Sequence, residues 1–299
     1  MWGRSRLGPL VGLLLATGCG FDAGGLPQVA PALPSTEPPP ADRAADAGLP
    51  AVAFDGGAVT SPPPGSPDGG AGDAASGDAA ALPGPVLLLR FDDPAGTVHP
   101  RDDSGHGNQG TLHDLDERRA WVRGHRDGAL DLGAGGRDGY LRFPSSASLN
   151  QIVPGLTIAV WLRRPPCSDP GVIVARAASA GGVIYRLALQ HSHLRAQLTG
   201  GLDLTSPELL PADRWVHIAF TYDGTRARLY LDGDQVMSAV HGAALFADDT
   251  EVVVGAGQPS AQHDQMRDFL PDKLDDLVLY PRALSAEEIG RLRRSGPSH

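Results

Sequence analysis

Cysteine is almost missing from this chain: its 299 residues hold two, Cys19 and Cys167. One lies near the start and one in the body, so the folded part has no second thiol for an intrachain disulfide. Cys167 stands in a proline-bounded loop, Arg163-Arg164-Pro165-Pro166-Cys167-Ser168-Asp169-Pro170, with no base at a fixed spacing to make it a nucleophile. Aromatic residues are only 5% of the chain. Lysine occurs once, as Lys273; every other basic residue is arginine, which points to codon bias more than to chemistry. The net charge is −10. Phosphate contacts need clustered bases, so this balance argues against a nucleic-acid binder. After the first residues no apolar run reaches the roughly 18 residues of a membrane-spanning helix. Gly-x-Ser-x-Gly, His-Glu-x-x-His and phosphate-loop signatures are absent.

Glycine and proline are abundant instead, at 39 and 27 residues, and they are unevenly placed. Residues 20–84 hold 12 Pro, 12 Gly and 16 Ala, with eight acids against one base, Arg43. The stretch carries −7 of the net −10. It has almost nothing to bury, so it cannot offset its chain entropy. Pro38-Pro39-Pro40 and Pro62-Pro63-Pro64 make stiff, extended pieces between flexible Gly-rich ones. We read it as a disordered tether. Ahead of it, Arg4 and Arg6 precede the apolar run Leu10–Ala16, and Thr17-Gly18-Cys19 follows. A short basic region and a short apolar core make a secretory signal. Small residues before Cys19 resemble a bacterial lipoprotein signal, which implies cleavage and lipidation at Cys19. The expected organisation is a signal peptide 1–18, a lipid-anchored linker 19–84 and a folded domain 85–299. The expected place is the cell envelope, held at the outer membrane through the lipid anchor alone.

From residue 85 the pattern changes to short apolar or alternating runs broken by Gly, Asp and Pro. A dozen strands are predicted, among them Val86–Phe91, Tyr140–Phe143, Leu156–Leu162, Val183–Gln190, Trp215–Tyr222 and Leu274–Tyr280. Many short strands in about 215 residues signal an all-β sandwich or barrel. In Leu156–Leu162, the residues Leu156, Ile158, Val160 and Leu162 share one face, and Trp161 lies on the other. Val216, Ile218, Phe220 and Tyr222 alternate up to Asp223-Gly224, and Ala227, Leu229 and Leu231 alternate up to Asp232-Gly233. Asp-Gly accepts the positive φ of tight hairpins, so three antiparallel strands follow in a meander. Near the end, Ser285 and Glu288 make a capping box for one short helix, stapled by Leu284 and Ile289.

These pieces resemble the LamG-like jellyroll family of the concanavalin A-like lectin/glucanase fold. The resemblance rests on Leu88-Leu89-Arg90-Phe91-Asp92, the loop Asp103-Ser104-Gly105-His106-Gly107-Asn108, and Ala129-Leu130-Asp131-Leu132-Gly133 leading to Gly139-Tyr140-Leu141. It continues through Leu156-Thr157-Ile158-Ala159-Val160-Trp161, then Trp215 to Gly224, Leu229 to Gly233 and Leu274 to Ser285. It implies a two-sheet antiparallel jellyroll sandwich, with a short C-terminal helix, over the whole folded part. It does not imply one ligand.

Enzymes of this fold carry paired carboxylates alternating on one strand, at the spacing that glycoside hydrolysis needs. No such strand is found: Glu117 and Glu208 fall in loops, Glu287 and Glu288 in the helix, and Glu251 stands alone. The expectation is therefore a non-catalytic binding module with no catalytic residue. Its partner is a carbohydrate or an envelope protein, and it binds no nucleic acid. A structural spacer without a small ligand is the second reading, and a glucanase-type hydrolase the third. Binding in such sandwiches uses rim loops or a sheet face, so the candidate ligand residues are Trp161, Tyr185, Arg186, His191, His193 and Arg195. Trp161 either stacks on a sugar or packs under a loop. His191-x-His193 either presents two imidazoles to zinc or forms a polar hairpin. Asp275 shares strand parity with Leu277 and Leu279, and a carboxylate on a core face needs neutralising. The resemblance implies a structural calcium on the Asp275 side chain, Asp92 or its carbonyl, and the Gly133 carbonyl. Arg137, or backbone donors, are the alternative partners of Asp275.

Overall fold

The computed structural model describes residues 84–136, 138–166, 170–257 and 266–297. The signal segment 1–18, Cys19, the linker up to residue 83, Arg137 and Cys167 lie outside the described residues.

Fifteen strands, one α-helix and a single 3-10 turn (Thr199–Gly201) make up the regular structure of the described part. They are β1 (Leu87–Leu89), β2 (Thr111–His113), β3 (Trp121–Arg123), β4 (Gly128–Asp131), β5 (Tyr140–Phe143), β6 (Leu156–Arg163), β7 (Gly171–Ala177), β8 (Val183–Gln190), β9 (His193–Leu198), β10 (Leu202–Leu209), β11 (Trp215–Tyr222), β12 (Arg226–Leu231), β13 (Asp234–Val240), β14 (Val252–Val254), β15 (Lys273–Tyr280) and α1 (Ala286–Ser295). One sheet runs β13-β12-β11-β6-β15-β4-β3, with β1 also on β15. The other runs β10-β9-β8-β7-β14-β5-β2. Every strand pairing is antiparallel. This is the two-sheet jellyroll sandwich with its C-terminal helix.

The core lies between the sheets and is built by period-2 alternation. Leu156, Ile158, Val160 and Leu162 of β6 enter it with Val216, Ile218, Phe220 and Tyr222 of β11. Burying each such side chain contributes about 1.5–3 kcal/mol. The meander forms as the Asp-Gly pairs require: Gly224 and Gly233 take φ of 90° and 88°. Asp223 Oδ1 closes its turn by accepting from the backbone N–H of Thr225 at 2.9 Å and Arg226 at 2.7 Å. The Asp103–Asn108 loop is an anchor for β1. Asn108 donates to the Val86 carbonyl at 2.8 Å, and Asp102 accepts from Leu88 N at 3.1 Å.

Three strands were not expected: β2, β3 and β10. The first two have three residues each, too few to display a period. β10 contains Pro207, which a central strand would reject but an edge strand tolerates, and β10 is an edge. A larger departure lies in β15. Its register on β6 shifts between Asp275 and Val278, with Asp276 at φ 49°. Leu274 pairs with Leu162, Asp275 with Trp161, and Val278 with Ala159. One residue is thus in excess on β15, and parity flips across the bulge. Asp275 shares the outer face with Trp161, not the core face with Leu277 and Leu279.

That outer face is covered. Ser285 and Glu288 form the capping box, Ser285 N donating to Glu288 Oε2 at 2.8 Å and Glu288 N to Ser285 Oγ at 3.2 Å. Leu284, Ile289 and Leu292 then pack on Leu88, Ala159, Ala219, Tyr230, Val278 and Tyr280. We call this sheet the helix-side sheet and its partner the open-side sheet.

Candidate functional site

The helix-side face buries Trp161, the tryptophan read as either stacking on a sugar or packing under a loop. The turn joining β3 to β4 folds over it. His125 stacks on Trp161 with ring centroids 3.6 Å apart and planes at 20°, leaving Trp161 6% exposed. Asp275 fixes that turn by accepting from Arg126 N at 2.9 Å. Gly124 is required there, since a Cβ would come within 1.9 Å of the Gly128 carbonyl and 2.6 Å of Asp275 Oδ2. His217 lies edge-on to Trp161 at 5.3 Å. Burial pushes its imidazole down to about 4, against the pull of Asp232. Trp161 therefore takes the second of its two readings, packing under a loop, and leaves the set of ligand candidates.

The acidic end of the same sheet gathers Asp92, Asp275 and Asp276. Burial raises Asp275 to about 7; backbone donors oppose the rise, and Asp276 and Asp92 add to it. Asp92 accepts from Gly128 N at 2.7 Å, so it and Asp275 hold one turn from two sides. Arg126 and Arg90 stand 3.5 and 4.0 Å from Asp276. Gly133 is not part of this end. Lys273 pairs with Asp131 across β15 and β4, so Gly133 falls beyond Lys273, against the Pro271 carbonyl. Asp275 and Asp92 are brought together; Gly133 is placed elsewhere by the strand register. Among the described residues no three His, Cys, Asp or Glu side chains group to hold a metal ion. The two carboxylates fit a hard cation in charge, but any such ion would take most of its shell from backbone or water oxygens.

The open-side sheet presents a different outer face. Its register builds two rows running across the strands. One row is Thr111, Arg142, Val253, Ala175, Arg186, Gln197 and Asp203. The next is Val172, Ala188, Arg195 and Thr205. Small side chains make the floor, with Val172, Ala175 and Ala188 packed together outside the main core. Charged groups bridge above it. Arg195 pairs with Asp203 and donates to Gln190 Oε1 at 2.7 Å, and Gln197 donates to Asp203 at 3.3 Å. Arg186 pairs with Asp268, and Arg142 with Glu251 at 2.7 Å. The Arg195 hydrogen bonds hold the Asp203 carboxyl below its usual range. Aromatic rings extend the face: His113 stacks on Tyr140 at 5.0 Å, and Tyr140 meets Phe269 at 5.9 Å.

Of the six expected ligand residues, Arg186, His193 and Arg195 lie on this face, His193 by the same β9 alternation that turns Arg195 and Gln197 outward. Tyr185 does not. It is fully buried in the core with Leu187 and Leu189, and burial drives its phenol far above its ordinary value. His191 and Ser192 form the two-residue turn of the β8–β9 hairpin, at φ 49° and 63°. His193 opens β9 and its Nδ1 lies 2.9 Å from the Ser206 carbonyl. A turn residue and a strand residue do not share a strand face, so the pair forms the polar hairpin rather than a zinc arm. Tyr140, Gln197 and Asp203 were missed. The alternation of Tyr140 and Arg142 against Leu141 and Phe143 was a signal for the first; the other two follow only from register. Among the described strands none carries two carboxylates two residues apart.

Two antiparallel sheets packed as a jellyroll place the described part in the class of lectin-like sandwich folds. The chain belongs to the concanavalin A-like lectin/glucanases superfamily, whose model matches residues 135–290. It is 26% identical, over 179 residues, to the Adhesion G-protein coupled receptor V1 of Danio rerio, covering 56% of this chain and 3% of that protein. The chain thus spans a small part of the curated relative it matches. Among solved structures it resembles the binding domain of Paraclostridial Mosquitocidal Protein 1, at TM-score 0.52 and 16% identity, over 71% of this chain and 52% of that one. It also resembles Domain 4 of AbnA, an extracellular arabinanase of Geobacillus stearothermophilus, in complex with arabinotriose. That likeness has TM-score 0.50 and 17% identity, over 71% of this chain and 100% of that one. At these identities the likeness is one of fold.

Proposed function

We propose that the chain is a non-catalytic carbohydrate-binding module that uses the outer face of the open-side sheet. One observation carries the reading: Arg186, Gln197, Asp203 and Arg195 sit in adjacent cross-strand rows above an Ala175–Ala188 floor. Planar guanidinium, amide and carboxylate groups in a row match paired sugar hydroxyls, and the Tyr140–His113 stack offers a ring beside them. The superfamily membership and the sugar bound to the arabinanase domain support the same reading. The test is a glycan array probed with the full chain. The reading expects oligosaccharide binding that weakens about tenfold in Arg186→Ala, which is about 1.4 kcal/mol. Capture of an envelope protein with no array signal would replace sugar by protein as the partner.

In the same proposal the module is displayed in the cell envelope, on its Pro/Gly/Ala tether, from a lipidated Cys19. Each buried acyl methylene adds about 0.8 kcal/mol to such anchoring. Labelled palmitate incorporation lost in Cys19→Ala supports this, and no incorporation in the native chain removes it. A structural calcium is proposed for the Asp92–Asp275 end alone, where its charge would offset the burial, and the neighbouring carboxylates, that raise Asp275. It predicts a higher Tm in millimolar Ca²⁺ than in chelator; an equal Tm rejects the ion.

A further inference from the structure

A second concavity lies at the rim of the helix-side sheet, away from the open-side face. It has a volume of about 470 Å³, and its walls include Arg163, Arg164, Lys273, Asp131 and Asp213. Strand register explains the charges. Asp131, Lys273, Arg163 and Trp215 stand in one cross-strand row, on β4, β15, β6 and β11. Lys273 and Arg163 are directly opposite one another, and like charges in that position repel. Lys273 is relieved by an ion pair to Asp131, which also accepts from Gly133 N at 3.0 Å. The Arg163 side chain is exposed and, among the described residues, makes no hydrogen bond or ion pair. Arg164, next to it, is 5% exposed and donates to the Leu210 carbonyl at 3.2 Å. Among the described residues three cations and two carboxylates thus line one hollow, one carboxylate being held by Lys273.

We propose that this hollow is an oxyanion site, with Arg163 as the group that grips the carboxylate or sulfate of an acidic saccharide. A guanidinium presents paired donors to such an anion, and Lys273 and Arg164 add positive potential. An anion between Arg163 and Lys273 would turn their mutual repulsion into two attractions. The unpaired arginine is then a group waiting for a ligand rather than one excluded from the fold. This site is independent of the open-side face, and either assignment stands if the other fails.

The test is calorimetric titration of the full chain, at low ionic strength, with oligogalacturonate, a neutral galactan oligomer and sodium sulfate. The proposal expects oligogalacturonate to bind and the neutral oligomer to bind at least tenfold more weakly. Arg163→Ala should lose about tenfold in oligogalacturonate affinity, and Arg163→Lys should lose less. Without ligand, Arg163→Ala should keep or raise the Tm, because a like-charge pair has been removed. If sulfate binds as tightly as the oligomer, and Arg163→Ala abolishes it, the anion site stands with a free anion as its ligand. No binding of either anion, or equal binding by Arg163→Ala, overturns the proposal.

Discussion

The two outer faces of this sandwich are built from the same kind of strand and are used in opposite ways. On the helix side, the outward side chains beneath α1 and the β3–β4 turn find protein at once. Ile289 and Leu292 cover Tyr230 and Tyr280, and His125 covers Trp161. On the open side, Arg186, Arg195 and Arg142 remain partly exposed and hold carboxylates on the same surface. Burial of an apolar side chain contributes about 1.5–3 kcal/mol, whereas an exposed ion pair contributes about 0–1 kcal/mol. Damage to the first face should therefore appear as lost stability. Damage to the second should appear as lost recognition.

The sharpest way to break this contrast is at Ile289, which is fully buried between α1 and the sheet. Ile289→Ala should cost about 2–5 kcal/mol in denaturant unfolding, with sugar binding intact in the molecules that remain folded. An equal cost from Arg195→Ala would erase the distinction between the faces.

The next largest effect is on pH dependence. The His217 imidazole titrates at about 4 when folded and near 6.5 when unfolded. Above about 6.5 neither state holds the proton, and between the two values only the unfolded state takes it up. Stability is therefore full above about 6.5 and falls as the pH drops to about 4, by on the order of 3 kcal/mol. Asp275 works in the opposite sense. Its folded value of about 7 lies above the unfolded 3.8, so the folded state keeps its proton longer. Its contribution is lost as pH rises from about 4 to about 7. Unfolding midpoints across this range should show a shallow net slope in the native chain. Asp275→Asn should steepen the acid-side loss that His217 causes, and His217→Gln should remove it.

Smaller effects separate the faces further. Ser285→Ala removes the helix cap and should cost about 1 kcal/mol. Arg195→Ala on the open face should change stability by less than about 1 kcal/mol while weakening sugar binding, read by midpoint and titration together.

Much of the helix-side sheet was legible because its signals are local. Asp223-Gly224 and Asp232-Gly233 fix two hairpins, and Ser285 with Glu288 fixes the start of α1, within a few residues each. The site was not legible, because it depends on register. Leu274 to Tyr280 reads as a plain alternating strand, and nothing in that run announces the extra residue that turns Asp275 to the outer face. Trp161 was correctly placed opposite the core residues of β6. Its cover comes from His125, 36 positions earlier, through a turn held by Asp275. Tyr185 and Arg186 are neighbours in β8, yet one enters the core and the other joins a row with Gln197 and Ala175. Both belong to a plausible polar surface when read singly; pairing with β7 and β9 separates them.

The central claim is that recognition belongs to the open-side face. The most direct measurement is calorimetric titration of the tightest oligosaccharide from the glycan array into the native chain, Arg186→Ala and His125→Ala. The account predicts at least a tenfold loss for Arg186→Ala and an unchanged affinity for His125→Ala, which unmasks only the helix-side Trp161. Unchanged binding by Arg186→Ala, with a gain or loss in His125→Ala, would place recognition on the other face and contradict it.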